Sequence, residues 1–133
     1  MKKKVSFERG NFGEPVFGAS IEVYIGNIDR IMSWYQQEYG TEFEFAAEAG
    51  QETPEALAFK DEKRGVHGMV FRKDASSSVI AHECGHVSRM VLAEVGIPHT
   101  SDTDECYSYY LGFLVEGVGA VKKMLRQKKK KKS

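Results

Sequence analysis

The pattern of apolar and polar residues in the first half of the chain predicts strands arranged around one helix. The stretch Val16 to Ile25 ("VFGASIEVYI") is rich in β-branched and aromatic residues and partly alternates, which predicts a strand. Asn27 is suited to cap a helix whose apolar residues recur at helical spacing until Gly40. Shorter runs predict three further strands, at Glu42 to Ala47, Ala56 to Lys60 and Val66 to Arg72.

The second half of the chain predicts two long helices joined by a short turn. Ser76 to Ser78 offer an N-cap for a helix that ends near Val95, where a Gly-Ile-Pro turn at 96–98 supplies the stop signal. The sequence "HTSDTDE" then begins a second helix, whose apolar positions are Leu111, Leu114, Val115, Val118, Val121 and Leu125. The order of elements predicts an α+β fold, with a small mixed β-sheet, one packing helix and two further helices.

Length and charge indicate one domain with a basic end. At 133 residues the chain fits a single domain with its own core, which we assign to residues 1–127. The formal net charge is zero although the five residues Lys128 to Lys132 are all lysines, so the rest of the chain is mildly acidic. We expect residues 128–133 to form a disordered, lysine-rich tail. Contact between this tail and nucleic acid is the alternative interpretation.

The chain shows no targeting or membrane signal. The basic start is followed by further charges instead of the apolar run of a signal peptide, and no stretch reaches the roughly 18 apolar residues of a membrane span. Cys84 and Cys106 are the two cysteines, which fits a reducing compartment better than a disulfide framework. We therefore expect a cytoplasmic protein without membrane contact.

The sequence "HECGH" at residues 82–86 is a candidate metal site. A helix turns about 100° per residue, so His82 and His86 lie one turn apart on nearly the same side and can bind one metal ion. Zinc suits such a pair because it accepts neutral imidazole nitrogens, and Glu83 is then positioned as a general base. The alternative is a structural pair, which would have to satisfy its polar atoms without a metal. The other two histidines, His67 and His99, stand alone, and we expect surface or capping roles for them.

A third metal ligand has to come from elsewhere in the chain. The metzincin pattern needs Gly and His at positions 89 and 92, where this chain has Arg89 and Leu92, so that subtype is excluded. Acidic residues at the start of the last helix are the candidates, namely Asp102, Asp104 and Glu105. Capping of that helix is the competing explanation for these acids.

Together, "HECGH", the Gly-Ile-Pro turn and "TDECYSYYLGFLVE" resemble the gluzincin branch of the zincin metallopeptidases. The likeness is closer to small zincin-like proteins encoded in phage and prophage genomes, and it covers residues 66–116. The resemblance implies a minimal zincin fold with Zn²⁺ held by His82, His86 and Glu105, and Glu83 as general base. It also implies that the strand at 66–72 lies along the cleft, with an edge that can pair with an extended peptide.

One position departs from the larger gluzincins. They have an aspartate four residues after the ligand glutamate, and this chain has Tyr109 there. Tyr109 lies on the same side of the helix as Glu105, so it is a candidate donor to the developing oxyanion, with a packing role as the alternative.

The sequence therefore predicts a zinc metallopeptidase that hydrolyses a peptide or protein substrate. The alternative is a non-catalytic, zinc-stabilised binding module, which in a phage protein would act on a host protein.

Overall fold

A mixed β-sheet forms the centre of the protein. The computed structural model describes residues 7–40, 44–45 and 55–132, without the side chains of 44–45 and 131–132. Within these residues the strands are β1 (Glu8–Gly13), β2 (Ser20–Ile25), β3 (Glu44–Phe45), β4 (Ala56–Asp61) and β5 (Val66–Phe71), in the order β1-β2-β5-β4-β3. β2 and β5 are parallel, and each of the other pairs is antiparallel.

Helices cover both faces of this sheet, which confirms the predicted α+β fold. The helices are α1 (Ile28–Tyr39), α2 (Ser77–Glu94) and α3 (Asp104–Lys132). Side chains alternate along a strand, so Met69 and Phe71 of β5 pack in the core beneath α2 and α3, whereas Val70 packs in the core beneath α1. α2 lies over β4 and β5 and against α3, which lies over β1. None of the described helices combines the length and apolar character that crossing a membrane requires.

The predicted limits of α1 are confirmed because local caps set them. The side chain of Asn27 accepts a hydrogen bond from the backbone N–H of Arg30 at 3.0 Å. At the other end Gly40 adopts the left-handed conformation, with φ of 62°, and its N–H donates to the Gln36 carbonyl.

The strand predicted at Val16 to Ile25 begins only at Ser20. The cause is Glu14, which is buried and whose carboxylate accepts hydrogen bonds from the backbone N–H groups of Val16, Phe17 and Ala19 at 2.8–3.1 Å. These bonds hold residues 14–19 in a turn.

The sequence pattern did not indicate β1 at all. Glycines interrupt this strand, and Gly10 is required there because Val121 of α3 packs where a side chain would stand. An interrupted pattern of this kind resembles a loop when α3 is not considered.

The remaining strand predictions differ in outcome. β4 and β5 match the predicted runs, whereas of the run Glu42 to Ala47 only Glu44 and Phe45 lie within the described residues, as β3. The expectation that the strand at 66–72 offers an edge to a peptide is wrong. β5 is central in the sheet and pairs with β2 on one side and β4 on the other, so its backbone hydrogen-bonding groups are used.

α2 follows its prediction closely. Ser76 caps it through a hydrogen bond from the backbone N–H of Val79, and after Glu94 the chain leaves the helix at Gly96, with φ of 81°. The N–H of Ile97 donates back to the Leu92 carbonyl at 2.8 Å, which closes the helix end.

α3 differs from its prediction at its end and on one face. It continues through Lys132, where a disordered tail was expected; a Lys129–Glu8 ion pair of 2.7 Å and the favourable interaction of cations with a helix C-terminus both support the helix there. Of its predicted apolar positions, Leu114, Val118, Val121 and Leu125 are buried, whereas Val115 is 38% exposed.

Gly68 in β5 is a position where a side chain cannot be accommodated. A Cβ atom there would overlap the ring of Phe59, which is 1% exposed and packed between the rings of Tyr24 and Tyr35. We expect Gly68→Ala to lower the free energy of unfolding by about 1–3 kcal/mol, because the ring cannot move aside. Urea unfolding measures the loss. Gly85→Ala, at a position with open space, is the control, and equal effects of the two would contradict the packing argument.

Candidate metal site on α2

His82 and His86 approach each other on α2. Their Nε2 atoms lie 3.1 Å apart, and the ring centroids are 4.7 Å apart with the rings at 81°. Two imidazole nitrogens that bind one tetrahedral zinc at 2.0–2.1 Å are separated by about 3.3 Å. The described pair therefore already has nearly the spacing that a shared zinc ion requires.

The pattern of α2 explains why both rings point outward. Ile80, Cys84, Val87 and Val91 recur at helical spacing and are buried against the sheet and α3. The two histidines lie on the opposite side of the helix, where His82 is exposed and His86 is half-buried. The pair is thus accessible to a metal ion from solvent.

Glu83 lies at the border between the histidine side and the core. It is 7% exposed, and it is about 60° round the helix from His86. Glu94, three turns further along nearly the same side, contacts Lys60 of β4 at 2.6 Å. Glu83 therefore faces the side of α2 that lies over β4, and it is the carboxylate next to the histidine pair.

Cys84 is not suited to act as a thiolate ligand. Cys84 is fully buried, with its Sγ 3.7 Å from the Sδ of Met69. Burial, with a further contribution from the charge of Glu83, raises the pKa of Cys84 to about 12, so it remains a thiol at neutral pH. Cys106 is exposed, and both cysteines are free.

Two contacts define how α2 and α3 lie over the sheet. Cys84 of α2 contacts Met69, and Val121 of α3 packs on Gly10. Met69 and Gly10 both pair with Val23 of β2, so they belong to one row across the sheet. Cys84 and Val121 therefore lie at the same level.

The predicted third ligand lies far along α3 from the part of that helix that is beside the histidines. At a rise of 1.5 Å per residue, Glu105 lies about 24 Å along α3 from Val121, and Asp102 and Asp104 are at the same far end. All three acids are exposed, and Asp104 lies 3.5 Å from His99. No group of three or more His, Cys, Asp or Glu side chains that could hold a metal ion occurs in residues 7–40, 44–45 and 55–132.

The tyrosines of α3 also lie away from the pair. Tyr109 is 69% exposed near the start of the helix. Tyr107 donates its hydroxyl hydrogen to the Ile97 carbonyl at 3.0 Å, and Tyr110 is buried beside the ring of Phe17. Tyr107 and Tyr110 therefore stabilise the turn and the core, and the structure does not bring Tyr109 to the histidines.

The surface or capping role expected for His67 is wrong. It is 5% exposed beneath α2, with its Nε2 3.2 Å from Glu94, and its Nδ1 has no hydrogen-bond partner within the described part of the chain. Burial lowers the pKa of His67, and the nearby carboxylate of Glu94 offsets this only partly. His67 is two residues before Met69 in β5, so its side chain points to the same face of the sheet, beneath α2. This spacing was the signal available in the sequence.

Comparisons of the chain with protein-family models, with curated proteins and with solved structures gave no match. The resemblance to zincins therefore rests on the motifs alone and stays a prediction.

Proposed function

We propose that His82 and His86 bind a zinc ion and that the protein is a zinc-dependent hydrolase of peptide or amide bonds. The observation that carries the proposal is the 3.1 Å separation of the two Nε2 atoms on an accessible helix side. Bound zinc would lower the pKa of a coordinated water and polarise a carbonyl group. The proposal includes a cytoplasmic location, which the two free cysteines support.

The residues of the chain divide the work between binding and proton transfer. His82 and His86 would hold the metal ion through their ring nitrogens. Glu83, next to His82 and three residues before His86, would accept a proton from the attacking water and return it to the leaving amine. Its low exposure keeps this carboxylate largely away from bulk water.

Glu105 enters the proposal through the motif resemblance only. In the described structure it lies far along α3, so the proposed metal binding rests on the two histidines. A Glu105→Ala variant decides whether the start of α3 contributes a ligand.

A second candidate function is a zinc-stabilised binding module without catalysis. The observation in its favour is that the histidine pair stands on the outward side of α2, with no third protein ligand within the described ranges. Such a module would bind a protein or peptide partner and would not need Glu83 for that binding.

Zinc binding by the purified chain tests the proposed site. After dialysis against zinc and removal of the excess, we expect about one zinc per chain by elemental analysis. His82→Ala and His86→Ala should each weaken binding at least tenfold, because each removes one of the two nitrogens. His99→Ala is the matched control, since His99 is exposed like His82 but lies in the turn before α3. A wild-type chain without zinc, or equal binding by His86→Ala and His99→Ala, would sink the proposal.

A further inference from the structure

α3 carries a second apolar stripe that is not buried. Cys106, Tyr109, Phe113, Ala120 and Met124 follow helical spacing along one side of the helix. Tyr109 is 69%, Phe113 41% and Met124 38% exposed, although Phe and Met are usually buried. An exposed stripe about five turns long is more than scattered surface residues, and it indicates an interaction surface.

This stripe lies on the side of α3 next to β1. Gly117, one turn from Phe113, lies against the ring of Phe12 of β1. Val115 is about 200° round the helix from Phe113, on the side toward α2. Near the start of α3, the loop between β1 and β2 adds the exposed side chain of Phe17.

β1 extends the surface with an open sheet edge. It is the terminal strand in the order β1-β2-β5-β4-β3, and within the described residues no strand pairs with its outer side. Glu8–Gly13 contains no proline, which would block further pairing. An open edge beside an apolar helix side is suited to covering by another chain.

The charge along α3 indicates that the covering chain is a second copy of this protein. Asp102, Asp104 and Glu105 stand at or just before its start, whereas its last eleven residues, 122–132, hold eight lysines and arginines and no acid. Two α3 helices packed antiparallel would bring the acidic start of each beside the basic end of the other. A second copy of this chain, with its α3 antiparallel to the first, therefore complements the charge along α3.

We propose that the apolar stripe of α3 and the edge of β1 form the interface of a symmetric homodimer, with the two α3 helices antiparallel. The interface is isologous, so each apolar residue is covered by the stripe of the partner copy. The histidine pair on α2 lies outside this surface, so the proposal is independent of the proposed function.

The mass of the full chain in solution tests this dimer. By sedimentation equilibrium we expect about twice the 15.0 kDa of one chain. Phe113→Asp should weaken dimerisation at least tenfold, because it places a charge in the apolar contact. Val115→Asp is the matched control, since Val115 is 38% exposed on the other side of the same helix, and it should leave the mass unchanged. Circular dichroism establishes that both variants are folded.

Charge reversal gives a second readout that misfolding would not produce. Changing Lys128 and Lys130 to Glu should weaken the dimer, and adding Asp102→Lys with Asp104→Lys in the same chain should restore it. A wild-type chain that is monomeric at about 100 µM would overturn the proposal. So would a monomer that binds duplex DNA through its lysines, which would assign the basic end to nucleic acid. Equal effects of Phe113→Asp and Val115→Asp would also overturn it.

Discussion

Glu83→Gln is expected to lower the rate of peptide or amide hydrolysis by about 10²–10⁴-fold while zinc stays bound. Glutamine keeps the size of the side chain but cannot accept a proton, so the attacking water would no longer be deprotonated by the protein. The two histidines are unchanged, so the zinc content should equal that of the wild type. Hydrolysis of a mixed peptide library, followed by mass spectrometry, provides the rate for whichever peptides are cleaved.

Glu94→Gln is the matched control for this variant. Glu94 is on nearly the same side of α2 as Glu83, but its carboxylate contacts Lys60 and His67 at the end of the helix. This control should retain turnover. If Glu83→Gln cleaves as fast as the wild type, Glu83 is not the base. If the wild type binds zinc and a protein partner but cleaves nothing, the non-catalytic module is the correct function.

Glu22→Ala is expected to produce the largest loss of stability, about 2–4 kcal/mol in the free energy of unfolding. Glu22 is 3% exposed and accepts hydrogen bonds from Arg64 at 2.6 and 2.7 Å and from the Tyr24 hydroxyl at 2.8 Å. Arg9 lies 3.4 Å away. Removal of the carboxylate leaves two guanidinium groups close together without their shared anion. The partial exposure of both arginines moderates the loss.

Urea unfolding measures this loss against a suitable control. Glu62 also forms an ion pair, 3.4 Å from Lys60, but its side chain is 84% exposed. Glu62→Ala should therefore cost less than about 1 kcal/mol. If both variants lose the same stability, the buried position of Glu22 does not matter and the argument from desolvation is wrong.

Acid should destabilise the protein through the same group. Burial on its own raises the pKa of Glu22, but hydrogen bonds from Arg64 and Tyr24 outweigh it, so its pKa lies below the ordinary value of 4.5. The contribution of Glu22 to stability is complete at pH values above its pKa in the unfolded chain. It is lost as the pH falls through its lower pKa in the folded protein. The lowered pKa of His67 acts in the same direction below about 6.5, because the unfolded chain binds that proton more readily. Glu22→Ala should flatten the dependence of stability on pH below about 4.5.

The sequence was sufficient for elements whose limits are local. Asn27 and Gly40 cap the two ends of α1, and Ser76 caps the start of α2. Each cap is a contact between residues close in the chain, so it could be predicted from the sequence. The histidine pair was predictable for the same reason, since the spacing of four residues alone determines that the rings meet.

Features that depend on distant residues could not be predicted. β1 contains glycines because of Val121, and the Glu22–Arg64 pair joins residues that are far apart in the chain. The place of Glu105 relative to the histidines also depends on distant residues. Its separation from His86 depends on how far α2 continues before the chain reverses, and α2 ends eight residues after His86.

The parallel pairing of β2 with β5 has a consequence for how the chain folds. β1–β2 and β4–β5 are pairs of neighbouring strands that can form from short segments. The pairing of β2 with β5 instead closes a loop of roughly 40 residues, at an entropic cost of about 3 kcal/mol. This entropic cost precedes the favourable contacts of either core. The transition state for folding should therefore contain the pairing of β2 with β5. The cooperativity of the domain thus originates along one central line of the sheet, between residues 20–25 and 66–71.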